Sequence, residues 1–255
     1  MIALITDFGY RDYFVGVLKG VIRKINPEVE IVDISHGVKS FSVVNAQFIL
    51  YSSYRYFPAG TIFCVVVDPG VGTERRGLIA QGRDYCYVLP DNGIVSAAIS
   101  SVSDVYAIVD DFFENSSPTF HGRDVFAPVS ACIAKGQRPE DLGYRIHDFI
   151  EKKFPDYKLR DNGFSGLVAH IDKFGNAVLS IPNKVIKEDN RICYVVNTGK
   201  FEFQAISCKT YGELGKSQVG LIKGSSGFIE LAISGVSLAG QYEINIEDDV
   251  VISYD

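Results

Sequence analysis

The sequence lacks the features of a membrane-spanning, secreted or nucleic-acid-binding protein. No apolar run is long enough to cross a bilayer, and no basic segment precedes the apolar start MIALITD, so we expect no signal peptide. The five cysteines form no CxxC pair, and this odd, unpatterned number favours a reducing, cytoplasmic location. A net charge of −6 disfavours nucleic acid and anionic membranes, which leaves a small molecule as the expected partner.

Signatures of several enzyme classes are also missing. The sequence has no HxH, HExxH or clustered Cys/His spacing, so we predict no metal site. It has no GxSxG turn of a serine hydrolase. Residues 7–9 (DFG) and 121–124 (HGRD) resemble kinase motifs, but their order is reversed and the glycine-rich loop and strand lysine are absent.

Residues 1–155 alternate strand-like and helix-like stretches. Apolar spacing predicts helices over residues 13–25, 41–56, 94–99 and 124–135. Residues 78–90 are predicted as two strands around a Gly-Arg-Asp turn. Strands that alternate with helices predict an α/β domain with a mostly parallel sheet covered on both faces.

The character of the sequence changes at residues 151–163, a charged, apolar-poor stretch that we interpret as a domain boundary. Residues 164–255 are rich in short apolar stretches separated by turn signals. We predict eight strands there, namely SGLVAHI, AVLSI, ICYVV, KFEFQAI, QVGLI, GFIELAI, YEINI and DVVISY. Many short, closely spaced strands predict a smaller antiparallel β-barrel or sandwich.

Several predicted strands of the first domain end in an aspartate. These residues are Asp7, Asp33, Asp68, Asp91 and Asp110. Ligands of open α/β sheets bind beyond the carboxyl ends of the strands, so carboxylates collected there indicate a binding site. Such a site suits a ligand that is hydroxylated, cationic or metal-bearing.

The densest motif of the chain is DPGVGTERR, residues 68–76. The proline ends the strand because it lacks an amide donor, and the two glycines let the backbone come close to a ligand. The motif presents the Asp68 carboxylate at a rigid corner within reach of Arg75. The alternative is a glycine-rich turn with a surface ion pair. The motif lacks the Gly-Lys-Ser/Thr ending of a phosphate loop.

Two of the four histidines are candidates for the site. His121 lies between a loop and a predicted helix start, where it could orient a nucleophile or hold a substrate hydroxyl. A structural histidine in a capping loop is the alternative. His36 follows a strand in the same way and is the rival candidate.

The second domain carries two weaker motifs. In DKFGN, residues 172–176, Asp172 and Asn176 offer oxygen acceptors to an ammonium group, although an ordinary turn is the commoner outcome. In GSSGFIELA, residues 224–232, hydroxyls precede Glu230 inside an apolar strand. That glutamate either faces solvent on an edge strand or faces a ligand.

Six motifs in order resemble those of the S-adenosyl-L-methionine (SAM) hydroxide adenosyltransferases. They are TDFG (6–9), DPGVGTERR (68–76), PDNG (90–93), FHGRDVFAP (120–128), IDKFGNA (171–177) and SSGFIELA (225–232). The family hydrolyses SAM to adenosine and L-methionine and is related to the SAM-dependent fluorinase and chlorinase. The resemblance implies an N-terminal Rossmann-like domain, a C-terminal β-barrel domain and no cofactor. It also implies a homotrimer, with each site between the first domain of one subunit and the second domain of the next.

The resemblance further implies roles for individual residues. The catalytic trio of the family matches Asp68, Arg75 and His121. Asp7 matches the residue that binds the ribose hydroxyls, and Phe41 an aromatic position that lines the nucleoside pocket. The positions that hold the methionine end and the adenine match Asp172, Asn176, Ser225, Glu230 and the backbone of Ile233.

Departures from the halogenases favour water as the nucleophile. Asp68 stands where those relatives carry an aromatic residue, and Val71 and Gly122 stand where the fluorinase has halide-contacting hydroxyls. We hypothesise that Asp68 accepts a hydrogen bond from the attacking water and takes its proton, while Arg75 holds Asp68 in place and keeps it ionised. A chlorinase-like halogenase and a non-catalytic SAM or adenosine sensor are the alternatives.

Overall fold

The computed structural model of the chain describes residues 1–109, 116–186 and 192–254. The chain divides into two compact units, Met1–Lys152 and Lys153–Asp255. Asp110, one of the strand-end aspartates named above, lies outside the described residues. Within the described ranges, no helix has both the length and the apolar character needed to cross a membrane. All five cysteines are free thiols.

The first unit is built on a seven-stranded sheet with the order β2-β1-β3-β5-β4-β6-β7. The strands are β1 (Ile2–Thr6), β2 (Ile31–Ser35), β3 (Thr61–Val66), β4 (Gly77–Gly82), β5 (Tyr85–Pro90), β6 (Val102–Ile108) and β7 (Gly143–Ile146). The first four neighbours pair in parallel, and the last three add antiparallel pairings. Only β4 and β7 therefore oppose the other strands of this sheet, which confirms the predicted mostly parallel α/β architecture.

The helices of the first unit are α1 (Phe14–Ile25), α2 (Val43–Ser53) and α3 (Ala127–Ala134). Short 3-10 turns cover Tyr54–Tyr56 and Ile94–Ser101, and a π-helical turn, Gly122–Phe126, leads into α3. The helix predicted over residues 94–99 is thus a 3-10 helix, and the one over 124–135 begins with a π turn. Helix α2 begins after Ser42, whose hydroxyl accepts the amide proton of Asn45 at 3.1 Å.

The core of the first unit explains the composition of its strands. β1 and β3 are buried along their whole length because both faces of the parallel part of the sheet are covered. Helix α1 buries Val15, Leu18 and Ile22 at helical spacing, and the last two join β1 and β3 in one apolar cluster. The strand ends that emerge from this core are thereby held in place.

The second unit is a closed β-barrel. Its strands are β8 (Tyr157–Arg160), β9 (Gly163–Ile171), β10 (Ala177–Pro182), β11 (Cys193–Asn197), β12 (Glu202–Cys208), β13 (Val219–Lys223), β14 (Phe228–Ile233) and β15 (Asp249–Tyr254). The order is β10-β14-β13-β12-β11-β15-β9-β8, and a further β9–β10 pairing closes seven strands, leaving β8 attached to β9. All pairings are antiparallel except β12 with β13, which run in parallel. The predicted barrel is confirmed, with this one exception to its antiparallel character.

One local prediction in the second half is wrong. YEINI, residues 242–246, forms turns after the short helix α4 (Leu238–Gln241), and Glu243 has a positive φ of 49° that a strand excludes. Conversely, β8 forms inside the charged stretch that we interpreted as the boundary. Pairing with the edge of β9 supplies the hydrogen bonds there, so low apolar content does not prevent a strand.

Candidate active site

The carboxyl ends of β1 and β3 bring the first group of candidate residues together. Asp7 directly follows β1, Asp68 comes shortly after β3, and these two strands are parallel neighbours. Asp7, Asp68, Phe41 and His121 line one cavity of about 270 Å³. The placement follows the general rule that ligands of α/β sheets bind beyond the carboxyl ends of strands.

Asp68, Arg75 and His121 form one hydrogen-bonded group. Arg75 Nε lies 3.1 Å from Asp68 Oδ1, and Arg75 Nη2 pairs with Asp68 Oδ2. The same Nη2 atom lies 3.1 Å from Nδ1 of His121. The side chains of Arg75 and Asp68 are only 8% and 6% exposed, so this is a buried, two-pronged ion pair and not a surface one.

The contact with Arg75 determines the tautomer of His121. A guanidinium group has donors and no acceptor, so His121 Nδ1 must accept the hydrogen bond. The neutral imidazole then carries its proton on Nε2. His121 is therefore held as a hydrogen-bond donor through Nε2 beside the Asp68 carboxylate.

Gly72 brings the two motifs of this group close to each other. Its φ of +79° lies in the region that side chains disfavour, and a Cβ there would lie 2.8 Å from the carbonyl oxygen of Pro118. The loop 68–76 can thus pack on the segment that leads to His121. Within the loop, the Thr73 hydroxyl donates to the Gly70 carbonyl at 2.7 Å, which stiffens the turn.

Asp7 and Phe41 form the second part of the cavity. The Phe41 amide donates to Asp7 Oδ2 at 2.8 Å, and Phe41 itself has a φ of 66°, a strained value for an aromatic residue. We predicted Phe41 inside a helix, but this conformation places it before α2, with 67% of the residue exposed. Burial raises the pKa of Asp7, against the hydrogen bond from Phe41, and the charge of Asp68 raises it further.

Sequence reasoning missed an aromatic cluster that lines the same cavity. Phe8, Phe14 and Phe120 meet edge to face, with ring centroids 5.3–5.8 Å apart. Two of the three flank candidate residues within motifs, which was the available signal. Gly122 lies against this cluster, because a Cβ there would come within 3.3 Å of both Phe8 and Phe120.

The second unit has its own cavity, of about 510 Å³. Asp172, Asn176 and Ile233 line it, together with Phe174 and Tyr211. Asp172 accepts the amide protons of Phe174 and Asn176 at 2.8 and 2.9 Å, and the Asn176 side-chain amide at 2.9 Å. The carboxylate therefore shapes its own turn and at the same time borders the cavity.

Glu230 lies on β14, which is not an edge strand, because β14 pairs with β10 on one side and with β13 on the other. The Tyr211 hydroxyl donates to Glu230 Oε1 at 2.5 Å, and Glu230 is 8% exposed. Burial raises the pKa of Glu230, the bond from Tyr211 opposes this, and the charge of Asp172 adds to it. Ser225 is exposed in the turn before β14 and is not among the residues that line the cavity.

Other candidates from the sequence have structural partners. Asp91 is buried and accepts hydrogen bonds from Arg76 and from the Ile150 amide, at 2.8 and 2.7 Å. His36 is buried behind the first cavity and does not line it. Among the residues that the structure describes, no group of three or more His, Cys, Asp or Glu could hold a metal ion.

Comparisons with known proteins identify the family to which the two domains belong. The model of the SAM hydroxide adenosyltransferase N-terminal domain matches residues 2–143, and that of the C-terminal domain matches residues 166–251. The (R)-S-adenosyl-L-methionine hydrolase of Salinispora tropica is 31% identical over 241 residues, which cover 92% of this chain and 90% of that protein. A fluorinase of Nocardia brasiliensis is 27% identical over 282 residues, covering 96% and 93%.

The fold also has a solved counterpart. The crystal structure of a conserved protein from Thermotoga maritima superposes with a TM-score of 0.90 at 34% identity, covering 99% of this chain and 100% of that one. An α/β unit followed by a closed β-barrel unit defines a class of two-domain proteins. Within that class, this chain belongs to the SAM hydroxide adenosyltransferase family.

Proposed function

We propose that this protein hydrolyses SAM to adenosine and L-methionine by in-line attack of water at C5′ of the ribose. The observation that carries the proposal is the buried Asp68–Arg75–His121 group, which borders the same cavity as Asp7 and Phe41. Membership of the family and the hydrolase names of relatives such as that of Salinispora tropica support it. The substrate has an adenosyl end and an amino-acid end. The cavity of the first unit offers Asp7 and Phe41 to the adenosyl end, and the cavity of the second unit offers Asp172 and Asn176 to the amino-acid end.

Hydrolysis of SAM requires a positioned nucleophile and no general acid for the leaving group. The sulfur of SAM is a sulfonium, so methionine leaves as a neutral thioether and requires no proton. Asp68 accepts a hydrogen bond from the attacking water and takes its proton as the C5′–O bond forms. Arg75 holds that carboxylate in place with two donors, and His121 offers its Nε2 proton to the water or the ribose.

The roles of the other residues follow the resemblance to the family. Asp7 accepts hydrogen bonds from the ribose hydroxyls, and the exposed ring of Phe41 covers the nucleoside. In the second unit, Asp172 and Asn176 bind the ammonium end, and Ser225, Glu230 and the Ile233 backbone contact the methionine end or the adenine. Residues 1–155 thus carry the catalytic groups, and residues 164–255 complete the ligand site.

We also propose a cytoplasmic homotrimer in which the first domain of one subunit and the second domain of the next share a site. The first cavity, at about 270 Å³, is smaller than the roughly 300–1,000 Å³ of typical ligand pockets, which fits a role in holding part of SAM. Mixing subunits tests this arrangement. Asp68→Asn and Asp172→Asn subunits, each inactive alone, should regain activity after joint refolding, because some interfaces then pair two intact domains. No regain would contradict shared sites.

A halogenase is the second candidate, because the chain also resembles a fluorinase. The cavity favours water. Val71 offers no hydroxyl there, and Gly122 lies so close to Phe8 and Phe120 that a serine would be crowded. Incubation with SAM, with and without chloride, should release adenosine and methionine at equal rates in both. Formation of 5′-chloro-5′-deoxyadenosine would favour the halogenase, and binding without any product would favour a sensor.

A further inference from the structure

His36 is a fully buried imidazole that the proposed mechanism does not use. It comes directly after β2, and its side chain has no exposed surface. Nδ1 lies 2.8 Å from the hydroxyl of Thr6. Nε2 lies 3.1 Å from Oδ1 of Asp33, a close approach that falls short of a well-aligned hydrogen bond. Both ring nitrogens therefore have a polar neighbour at the ends of β1 and β2.

The contact with Thr6 connects His36 to the backbone of the site. The Thr6 hydroxyl accepts the amide proton of Phe8 at 3.2 Å, so its own proton is available for Nδ1 of His36. The neutral imidazole then carries its proton on Nε2, facing the carboxylate of Asp33. Phe8 follows Asp7, so one hydroxyl group separates His36 from the peptide that carries the Asp7 side chain.

Hydrogen bonds donated by backbone amides join the same two segments, 6–9 and 36–41. They are Gly9 N–H to the His36 carbonyl (2.7 Å), Val38 N–H to the Thr6 carbonyl (3.3 Å) and Phe41 N–H to the Asp7 carboxylate (2.8 Å). Asp7 and Phe41 thus project into one cavity from two segments that are tied to each other. The imidazole and the Thr6 hydroxyl form the side-chain tie at the base of these segments.

The far side of the imidazole is fixed as well. Asp33 accepts from Lys19 at 2.6 Å and from the Tyr10 hydroxyl at 3.4 Å. The Tyr10 ring meets the imidazole edge to face at 5.1 Å. The ring of His36 therefore has little freedom to rotate, which is what a positioning group requires.

We propose that His36 is a positioning residue that holds Asp7 and Phe41 at the spacing required by the ribose hydroxyls of an adenosyl ligand. The inference rests on the proposed function, because it takes the ligand to be adenosyl. His36 acts through Thr6 and the 6–9 segment without touching the ligand. Removing the tie should weaken the recognition of the ribose hydroxyls more than the recognition of the base.

The test compares the binding of adenosine and 2′,3′-dideoxyadenosine by calorimetry. His36→Gln keeps an amide near the position of Nε2 and loses the Thr6 contact, whereas His36→Asn keeps an amide near Nδ1. Loss of one buried hydrogen bond predicts about fivefold weaker adenosine binding for His36→Gln. Thr6→Val should weaken binding at least as much, because it also loses the bond from the Phe8 amide. Binding of the dideoxy compound should stay unchanged in both. His36→Asn should lose less, and the double variant His36→Gln/Thr6→Val should be no weaker than Thr6→Val alone.

Tyr87→Phe is the matched control. It removes a partly buried hydrogen bond of the same unit, 2.8 Å long to Ser101, and neither residue lines the cavity. This variant should lower the unfolding temperature and leave both affinities unchanged.

Three results would overturn the inference. They are equal weakening of both ligands in His36→Gln, unchanged adenosine binding in that variant, or additive losses in the double variant. Failure of the proposed function looks different, because the unsubstituted protein would then neither bind adenosine nor turn over SAM. That result would remove both proposals together.

Discussion

Replacing Asp68 by asparagine separates a catalytic role from a structural one. Asparagine keeps one oxygen for Arg75 Nε and the Gly70 amide, but it turns a donor amide toward Arg75 Nη2. Both side chains are over 90% buried, and breaking such a pair costs about 3–5 kcal/mol of folding free energy. Loss of the base should also lower kcat about 10²- to 10⁴-fold. Affinity for adenosine should change little, since Asp7 and Phe41 remain.

The double variant Asp68→Asn/Arg75→Gln makes the distinction sharp. A neutral amide pair removes the uncompensated guanidinium, so most of the lost stability should return, while turnover should not. Release of adenosine from SAM followed by chromatography gives kcat, calorimetry gives the affinity for adenosine, and thermal unfolding gives the stability. A folded Asp68→Asn variant with turnover within threefold of the unsubstituted protein would refute the reasoning. Recovery of turnover together with stability in the double variant would make Asp68 structural.

Three further outcomes follow from the geometry. Gly72→Ala should lower the free energy of unfolding by about 1–3 kcal/mol, because the positive φ of Gly72 and a nearby carbonyl oxygen disfavour a Cβ. Gly20→Ala is the control, since Gly20 lies on α1 with open space around it and its replacement should not lower stability. Denaturant unfolding measures both variants. Adenosine affinity should fall as the pH drops through the pKa of Asp7, which lies above its ordinary 3.8, because a protonated carboxyl loses an acceptor; Asp7→Asn should bind weakly at every pH in calorimetry. Tyr211→Phe should lower stability by about 1 kcal/mol at neutral pH. Burial raises the pKa of Glu230, so stability falls as the pH rises from the ordinary value of 4.5 through that raised pKa, and the Tyr211 hydroxyl offsets this by donating to the charged carboxylate. Once Glu230 takes up a proton in acid, the loss caused by Tyr211→Phe should therefore shrink. A loss that stays the same from pH 7 to pH 4 would contradict the assignment.

Much of the first site could be predicted because it depends on short motifs at strand ends. Asp7 and Asp68 follow apolar runs that became β1 and β3, and parallel pairing put those ends side by side. The residue pattern alone did not distinguish His121 from His36, since both follow strands or loops with glycine nearby, and only the resemblance to the family favoured His121. In the structure His121 lines the first cavity, whereas His36 is buried and does not line it, and this difference is set by tertiary packing. The roles of these residues in catalysis stay predictions.

The second unit was harder to predict at the level of side chains. Glu230 sits in an apolar strand in either interpretation, and only the closed order of the barrel shows that this strand has a neighbour on both edges. Tyr211 lies in a 3-10 turn, Tyr211–Glu213, with no motif around it. YEINI alternates like a strand, yet its apolar Ile244 is buried in an irregular segment between two turns. In each case long-range contacts override a local pattern.

The single parallel pair in the barrel has a consequence for how ligand preference can change. Antiparallel neighbours can be joined by two residues, but β12 and β13 cannot, so the chain between Cys208 and Val219 must travel back along the barrel. This return path carries Tyr211, which lines the cavity of the second unit. Insertions or deletions along the path should leave the strand pairing intact and change the residues that line this cavity. The composition of that cavity can therefore change independently of the loop 68–76 in the first unit.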